Sequence, residues 1–208
     1  FSCIKGFLNR MKVFNHKFNN LKLDEWKCNT LILGTFNPEN GPFADFYYGR
    51  IRNENNWSNR FWPSLSDYLI SIGHIKKKLV PGNLDSKISL MKELNFNCKD
   101  LIKSIESDVE EKLVNGEGFS DTPLMLDSNI IHYNTNFIIK YINEKNIKKI
   151  VSSWGKGSSL SKSFKSELLK IKNNCPNTSF KMFSLPPFGR PLMSNLRFGK
   201  ILFDELNY

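Results

Sequence analysis

The sequence contains no apolar run near the roughly 20 residues that a membrane-spanning helix needs, and no stretch is typical of a signal peptide. Its four cysteines are widely separated and form no C-x-x-C pair, which argues against a zinc or iron–sulfur site and is typical of a reducing compartment. The histidines His16, His74 and His132 show no metal-ligand spacing, so we expect them at surface or structural positions. These absences predict a protein without a metal site and without a segment that spans a membrane.

Positive charge is what the sequence has in excess. Thirty lysines and arginines face twenty acidic residues, which gives a net charge of +10 and an isoelectric point near 9.4. Such an excess favours a polyanionic partner, nucleic acid before an anionic membrane. A lysine-rich surface that only keeps the protein soluble explains the same count, so charge alone leaves both interpretations open.

Strands and helices alternate along most of the 208 residues. "TLILGTF" predicts a buried strand, and "FWPSLSDYLISIG" predicts a helix that ends at Gly73. We expect further helices at 80–95, 98–113, 134–147, 158–174 and 195–208, and further strands at 148–155 and 179–187. This order predicts one α/β domain, a three-layer sandwich whose mostly parallel sheet is flanked by helices. Residues 1–28 are expected to form a peripheral N-terminal helix or arm.

Three unusual loops, 34–62, 154–159 and 185–195, each follow a predicted strand. Ligands of parallel sheets bind at the carboxyl ends of the strands, so we expect the three loops to converge on one cleft. In the first loop, Gly34 permits a sharp turn, and Asn37 offers an amide that can both donate and accept a hydrogen bond. The cleft is the candidate functional site.

Aromatic side chains are concentrated in and around the first loop, and their flat faces suit the stacking of a planar ring. They are Phe36, Phe43, Phe46, Tyr47 and Tyr48. Packing in the core is the alternative. We expect core packing for Phe61 and Trp62 at the start of the next helix, whereas for Tyr47 and Tyr48 the two alternatives remain open.

The two later loops carry cations beside glycine, serine or proline. "SSWGKGSS" places Lys156, Ser158 and Ser159 at a predicted helix N-terminus, which suits a phosphate, although an exposed lysine beside a helix cap explains the pattern equally well. "SLPPFGRPLMSN" is stiffened by prolines and carries Arg190 beside Leu192 and Met193. A rigid loop with a cation and an apolar tip is suited to wedging into a nucleic-acid stack.

Several of these motifs, in this order, resemble the uracil-DNA glycosylase superfamily, nearest its hypoxanthine and mismatch-specific (thymine/uracil) branches. "LGTFNP" is similar to the first motif of the superfamily, and "FYYGR" and "SNRFWPSL" are similar to the segments that follow it. "CKDLIKSIESDVE" and "KKIVSSWGKGSS" resemble later segments, and "SLPPFGRPLMSNLRFGKILFDEL" resembles the terminal loop and closing helix. The resemblance covers residues 29–208.

The resemblance implies a central four-stranded parallel sheet and a monofunctional DNA glycosylase. Such an enzyme flips a damaged, mismatched or modified base out of single- or double-stranded DNA and hydrolyses its N-glycosidic bond, which leaves an abasic site. It acts as a monomer in base excision and DNA repair, without metal or cofactor, in a prokaryotic cytoplasm or a eukaryotic nucleus. A modified base in phage DNA, and so a role in phage defence, is one possible substrate.

The resemblance also implies roles for individual residues. Asn37 would position the attacking water, and Tyr48 would stack on the flipped base. Asn59 and Asn53 compete for the role of a second catalytic amide, and Asn59 is the favoured match. The remaining implied residues are Phe36, Phe43, Tyr47 and Trp154 for base binding, and Lys156, Ser158, Ser159, Arg190, Leu192 and Met193 for DNA binding.

The sequence departs from the family pattern in the terminal loop. Leu185 stands where the family has a histidine, and Phe188 replaces a serine, so stabilisation of the leaving base by that histidine is not available. Asp45 and Asp100 are nearby carboxylates that can act as a base or orient water. The alternative function is a catalytically weak or inactive glycosylase-like module that binds DNA, and a third is an unrelated α/β enzyme acting on nucleotides.

Overall fold

The structure, a computed structural model, describes residues 11–18, 21, 23, 26–39, 44–53, 56–57, 59–108, 129–152, 162–182 and 194–206. Its centre is a parallel sheet of four strands, β2 (Thr30–Gly34), β5 (Phe96–Asp100), β8 (Lys149–Ser152) and β9 (Ser179–Met182), in the order β5-β2-β8-β9. With helices on both faces, the predicted three-layer α/β sandwich is confirmed.

The middle of this sheet is apolar because it is covered on both faces. Strand β2 pairs with β5 in register from Thr30 opposite Phe96 to Gly34 opposite Asp100, and all five residues of each strand are buried. A near-continuous apolar run is typical of such a strand, whereas a strand with one wet face alternates. The run "TLILG" therefore specified the central strand correctly.

Five helices pack on the sheet within the described residues. They are α1 (Phe61–Ser71), α2 (Leu84–Glu93), α3 (Thr135–Lys145), α4 (Lys165–Asn174) and α5 (Asn195–Leu206). Helices α1 and α5 pack against each other, as do α3 and α4. A Cβ on Gly199 of α5 would lie 1.9 Å from the Ser64 carbonyl oxygen, so only glycine permits this crossing. Gly73, predicted to end α1, follows it with φ of 73°.

A second sheet is antiparallel and was not predicted. It contains β1 (Lys12–Asn15), β6 (Ile102–Ser107) and β7 (Ile130–Tyr133) in the order β1-β6-β7, and a small hairpin joins β3 (Ile51–Asn53) to β4 (Asn56–Trp57). The helix predicted at 98–113 is wrong, because β5 and β6 occupy residues 96–107 and pair with neighbouring strands. Where a peripheral helix or arm was expected, β1 carries Phe14, which is buried in the core.

Among the described residues, no helix combines the length and the apolar character needed to span a membrane.

A buried carboxylate joins α3 to α4. Glu167 accepts hydrogen bonds from the Thr135 hydroxyl and the Lys170 ammonium, each at 2.6 Å. Burial alone raises the pKa of Glu167, but these two hydrogen bonds and the charge of Lys170 outweigh burial, so its net pKa is lowered. The ionised form is therefore the one that the folded state favours.

This shift makes the α3–α4 contact sensitive to acid. Because the folded pKa of Glu167 is lowered, its contribution to stability is present above the unfolded value of about 4.3 and is lost as the pH falls through the folded pKa. We expect Glu167→Gln to lower the free energy of unfolding at pH 7, and the difference from wild type to shrink below about pH 4. Urea unfolding at a series of pH values measures this, and a difference that grows on acidification would contradict it.

Candidate active site at the carboxyl edge of the sheet

The candidate site begins where two parallel strands end side by side. β2 ends at Gly34 and β5 at Asp100, directly opposite each other. The chain after β5 remains bonded to the chain after β2, because the Leu101 N–H donates to the Gly34 carbonyl at 2.9 Å. Within this sheet, the chain leads from β2 to its neighbour β5 on one side and from β8 to its neighbour β9 on the other side. Two connections that run in opposite directions along a sheet open a crevice at its carboxyl edge.

The carboxylate of Asp100 is the centre of this site. Its Oδ2 atom accepts a hydrogen bond from His16 Nε2 at 2.7 Å and another from Asn37 Nδ2 at 2.6 Å. The Asp100 and His16 side chains are each only 2% exposed. A buried carboxylate that accepts two such donors is held in one orientation, and its negative charge is little screened by water.

The hydrogen bonds of His16 assign its proton. Nδ1 accepts from the Phe18 backbone N–H at 3.1 Å, so in the neutral ring the proton lies on Nε2 and is donated to Asp100. Both ring nitrogens are therefore engaged, and His16 has no nitrogen left to take a proton from a serine or a water. The imidazole orients the carboxylate instead of acting as a base.

The amide of Asn37 is oriented by the same carboxylate. Because Nδ2 donates to Asp100, Oδ1 must lie on the opposite side of the half-buried amide, where it can accept a hydrogen bond from a ligand or water. The main chain around Asn37 is held by the end of β1 and by the residues that follow it. Lys17 N–H donates to the Asn37 carbonyl at 2.7 Å, and Glu39 N–H donates to the Asn15 carbonyl at 2.8 Å.

Gly34 leaves room for the carboxylate. A Cβ built on Gly34 would lie 2.2 Å from Asp100 Oδ1 and 2.8 Å from the Tyr48 hydroxyl. Real Cβ atoms do not approach other atoms at 2.2 Å, so any larger residue would displace the carboxylate. The glycine of "LGTFNP" is therefore explained by the close approach of Asp100 and Tyr48. The sharp turn expected at Gly34 is not observed, because Gly34 is the last paired residue of β2 and has no positive φ.

Tyr48 is held in an unfavourable backbone conformation. Its φ is 55°, and the other described non-glycine residues with positive φ are Asn95 and Asn146, a residue type that tolerates this region. For a tyrosine the conformation costs about 1 kcal/mol or more, and such strain is concentrated at functional sites. The ring is half-buried and stacks on Phe61, with centroids 5.0 Å apart.

Two predicted base-binding residues lie in the core instead. Phe36 and Tyr47 are each 4% exposed, and their rings pack against His16. The Tyr47 carbonyl also accepts a hydrogen bond from the indole of Trp62 at 2.7 Å. Of the two alternatives left open for Tyr47, core packing is therefore the one observed. Phe61 and Trp62 are buried as expected.

Of Asn59 and Asn53, which compete for the role of the second catalytic amide, only Asn59 has a described side chain. Asn59 Oδ1 accepts a hydrogen bond from the Phe61 N–H at 2.8 Å, so its Nδ2 remains as the atom available to a ligand. Asn53 is the last residue of β3, and its side chain lies outside the described part of the chain. Also outside the described residues are Phe43, Trp154, Lys156, Ser158, Ser159, Arg190, Leu192 and Met193.

Asp45, the second carboxylate singled out from the sequence, has a different environment. It accepts hydrogen bonds from the Lys87 ammonium at 2.5 Å and from the Gly82 N–H at 2.6 Å. The Lys87 side chain is fully buried and lies 5.4 Å from the centroid of the Trp57 ring. Asp45 therefore attaches the first loop to α2, whereas Asp100 is the carboxylate beside the oriented amide.

The described residues offer neither a metal centre nor a reactive thiol near the site. In that part of the chain, no group of three or more histidine, cysteine, aspartate or glutamate side chains could hold a metal ion. Cys98 lies two residues before Asp100, but burial and then the Asp100 charge raise the pKa of its thiol well above the usual value. A protonated, fully buried thiol is a poor nucleophile.

Comparison of the chain with protein-family models, with curated proteins and with solved structures gave no match. A function can therefore be proposed only from the chemistry of the cluster formed by Asp100, Asn37 and His16 at the carboxyl edge of the sheet.

His16 is the residue of the cluster that we did not predict from the sequence. Its partner Asp100 is 84 positions away, and no local motif joins them. One signal was present, because Phe14, His16 and Phe18 alternate with the exposed residues Asn15 and Lys17. A period of two predicts a strand whose inner face includes the histidine.

Proposed function

We propose that the protein is a monofunctional DNA glycosylase, which hydrolyses the bond between a flipped base and its deoxyribose. The observation that carries this proposal is the oriented pair of Asn37 and Asp100 at the carboxyl edge of the sheet, beside the strained Tyr48. The net charge of +10 supports a polyanionic substrate. The resemblance of the sequence motifs to the uracil-DNA glycosylase superfamily points to the same reaction.

The carboxylate and the amide suit the two halves of this reaction. Cleavage of the glycosidic bond develops positive charge on the sugar, and a fixed negative charge stabilises that state without reorganisation. In the proposed mechanism, Asp100 supplies that charge and fixes the Asn37 amide. Asn37 Oδ1 then accepts a hydrogen bond from the water that attacks the sugar. His16 keeps the carboxylate in place throughout.

Tyr48 and Asn59 are the proposed contacts of the base. Tyr48 rests one face of its ring on Phe61, and stacking of the base on Tyr48 would offset the cost of taking it out of the helix. Asn59 has its oxygen bonded to the start of α1, so its Nδ2 can donate to the leaving base as that base becomes negative. This donor would partly replace the histidine that the terminal loop lacks.

A second candidate function is a module that binds nucleic acid without cleaving it. The observation that favours it is the burial of Asp100, whose side chain is 2% exposed and whose Oδ2 already accepts two hydrogen bonds. A carboxylate in that state also suits a purely structural role.

Base release from a substrate panel tests the proposal. The panel contains uracil, hypoxanthine, thymine mismatches and hypermodified pyrimidines, in single-stranded and duplex DNA, and abasic sites are detected by alkaline cleavage. We expect Asn37→Ala to lower the single-turnover rate about 10²- to 10³-fold, as for loss of one oriented catalytic group, and Asn59→Ala to lower it about tenfold, with DNA affinity retained in both.

Asn143→Ala is the matched control, because Asn143 is an exposed amide on α3 and should leave the rate unchanged. Wild-type protein that binds DNA but leaves no abasic site on any substrate would reject the glycosylase and support the binding module. Equal effects of Asn37→Ala and Asn143→Ala would remove Asn37 from the mechanism.

A further inference from the structure

Helix α1 begins beside the candidate active site without an ordinary cap. Arg60 immediately precedes its first turn, and the Arg60 side chain caps no N–H of the helix. Serine, threonine, aspartate or asparagine usually occupies this position and does so. The N–H of Phe61, the first residue of α1, is instead bonded to Asn59 Oδ1 at 2.8 Å. The start of α1 and the orientation of the Asn59 amide are therefore fixed together.

The half-buried Arg60 side chain contacts α5 instead of its own helix. Its Nε and Nη2 atoms both donate to Asn195 Oδ1, at 3.1 and 2.8 Å, across a separation of 135 positions in the sequence. The guanidinium carbon lies 5.9 Å from the centroid of the Phe198 ring, which is buried on α5. Arg60 therefore joins the start of α1 to the first turn of α5.

The amide of Asn195 can take only one orientation in this contact. Its Oδ1 accepts from the guanidinium, and its Nδ2 donates to Asp67 Oδ2 at 3.2 Å. A rotated amide would place its two hydrogens against the guanidinium donors. Asp67 in turn lies 2.6 Å from Lys78 Nζ through its other oxygen. Each donor in this chain of four side chains faces an acceptor, so the partner of Arg60 is held in place.

Helix α5 is itself firmly anchored. The Ser194 hydroxyl accepts a hydrogen bond from the Arg197 N–H at 3.2 Å, which caps the start of the helix. Further along, Gly199 lies so close to α1 that a Cβ on it would be 1.9 Å from the Ser64 carbonyl oxygen. The contact between Arg60 and Asn195 is therefore made between two helices that are already packed tightly.

Both proposed contacts of the base depend on the first turn of α1. Asn59 is bonded to the Phe61 N–H, and the Phe61 ring stacks on the ring of Tyr48. Phe61 is only 1% exposed, so it transmits a displacement of the helix to both neighbours. A shift at the start of α1 would therefore move the Asn59 amide and the Tyr48 ring.

We propose that Arg60 is a positioning residue, which fixes the Asn59 amide for the leaving base by holding the first turn of α1 against α5. The proposal rests on the proposed function, in which Asn59 Nδ2 donates to that base. A donor that is already oriented stabilises developing negative charge without reorganisation, whereas a mobile donor does not. The guanidinium suits this role because its donors lie in a rigid fork, which lysine lacks.

Rates of base release test whether Arg60 acts through Asn59. On the best substrate of the panel, we expect Arg60→Ala to lower the single-turnover rate about tenfold, as Asn59→Ala does. Adding Asn59→Ala to Arg60→Ala should then lower the rate by less than about twofold, because both changes disable the same amide. Asn195→Ala should reproduce the defect although it removes no charge. Arg197→Ala is the matched control, since Arg197 is an exposed arginine on α5.

A direct contact of Arg60 with a DNA phosphate is the alternative role, and it predicts a different pattern. In that role, Arg60→Lys and Asn195→Ala would keep the wild-type rate. Arg60→Ala would also reduce the slope of log duplex affinity against log salt by about 0.9. We expect instead that Arg60→Lys stays about fivefold or more below wild type and that the salt slope is unchanged. The pattern of a phosphate contact would overturn the positioning role.

Hydrogen exchange without DNA tests the positioning apart from catalysis. Exchange of the Phe61 N–H, followed by NMR, should be about tenfold faster in Arg60→Ala and in Asn195→Ala than in wild type. The Ile138 N–H, which donates to the Asn134 carbonyl at 3.0 Å in α3, is the internal reference and should exchange at the wild-type rate.

Three outcomes separate the positioning role from the glycosylase. Unchanged exchange of the Phe61 N–H in both variants overturns the positioning role, whether or not the wild type releases bases. Faster exchange in a protein that releases no base supports the positioning of Asn59, and the glycosylase alone fails. A full effect of about tenfold for Asn59→Ala in the Arg60→Ala background shows that the two residues act independently, which also overturns the positioning role.

Discussion

Replacing Asp100 with asparagine is expected to lower the rate of base release about 10²- to 10³-fold without unfolding the protein. Asparagine has the shape of aspartate, and its oxygen can still accept the hydrogen bond from His16 Nε2. What is lost is the negative charge that is proposed to stabilise the sugar, because an asparagine oxygen in the position of Oδ2 can still accept the hydrogen bonds of both His16 and Asn37. A loss of this size corresponds to about 3–4 kcal/mol of transition-state stabilisation.

Single-turnover rates on the best substrate of the panel measure this effect, with urea unfolding as the test of folding. Gly34→Ala perturbs the same carboxylate without removing its charge. The alanine Cβ would lie 2.2 Å from Asp100 Oδ1 and would displace the carboxylate. We expect both variants to bind DNA and to lose activity. An Asp100→Asn protein within threefold of the wild-type rate would show that Asp100 is only structural.

The parallel sheet was predictable because its determinants are local. The run "TLILG" is apolar from Leu31 to Leu33, and the structure buries all five of its residues. The position of Asn37 after this strand also followed from the sequence, since ligand-binding loops follow parallel strands. For both the strand and the position of Asn37, the residues that allow the prediction lie within ten positions along the chain.

The antiparallel sheet was not predictable in the same way. "CKDLIKSIESDVE" has apolar residues at Leu101, Ile102 and Ile105, which is compatible with a helix. In the structure, Ile105 pairs with Phe14 on one side and with Ile131 on the other, and these partners are distant in sequence. Pairing with distant strands therefore outweighed the local preference, as is common for strands.

The candidate site shows the same division between local and distant information. Gly34 and Asn37 belong to one motif and were found, whereas the partner that orients Asn37 lies 63 positions away. Tyr47 and Tyr48 are adjacent and chemically alike, yet one is buried and the other is half-buried with positive φ. A turn between residues 45 and 49 separates their environments, and composition alone carries no sign of it.

Asp45 is expected to show the opposite behaviour to Asp100. Asp45→Asn removes the charge that pairs with the fully buried Lys87, and an unpaired buried charge typically destabilises a protein by about 3–5 kcal/mol. We expect this drop in the free energy of unfolding, measured in urea, while the folded fraction retains base release within about tenfold of wild type. The two variants thereby distinguish the carboxylates, because Asp100→Asn lowers the rate of base release whereas Asp45→Asn lowers the free energy of unfolding.

The exposed pair of Lys200 and Asp204 on α5 is the control for the stability effect. Their side chains are 59% and 53% exposed, so Asp204→Asn should change the free energy of unfolding by less than about 0.5 kcal/mol. Adding Lys87→Met to Asp45→Asn removes the orphaned cation, and the double variant should be more stable than Asp45→Asn alone. If Asp45→Asn instead keeps full stability and loses base release, then Asp45 belongs to the reaction, and its ion pair with Lys87 is not what holds the first loop to α2.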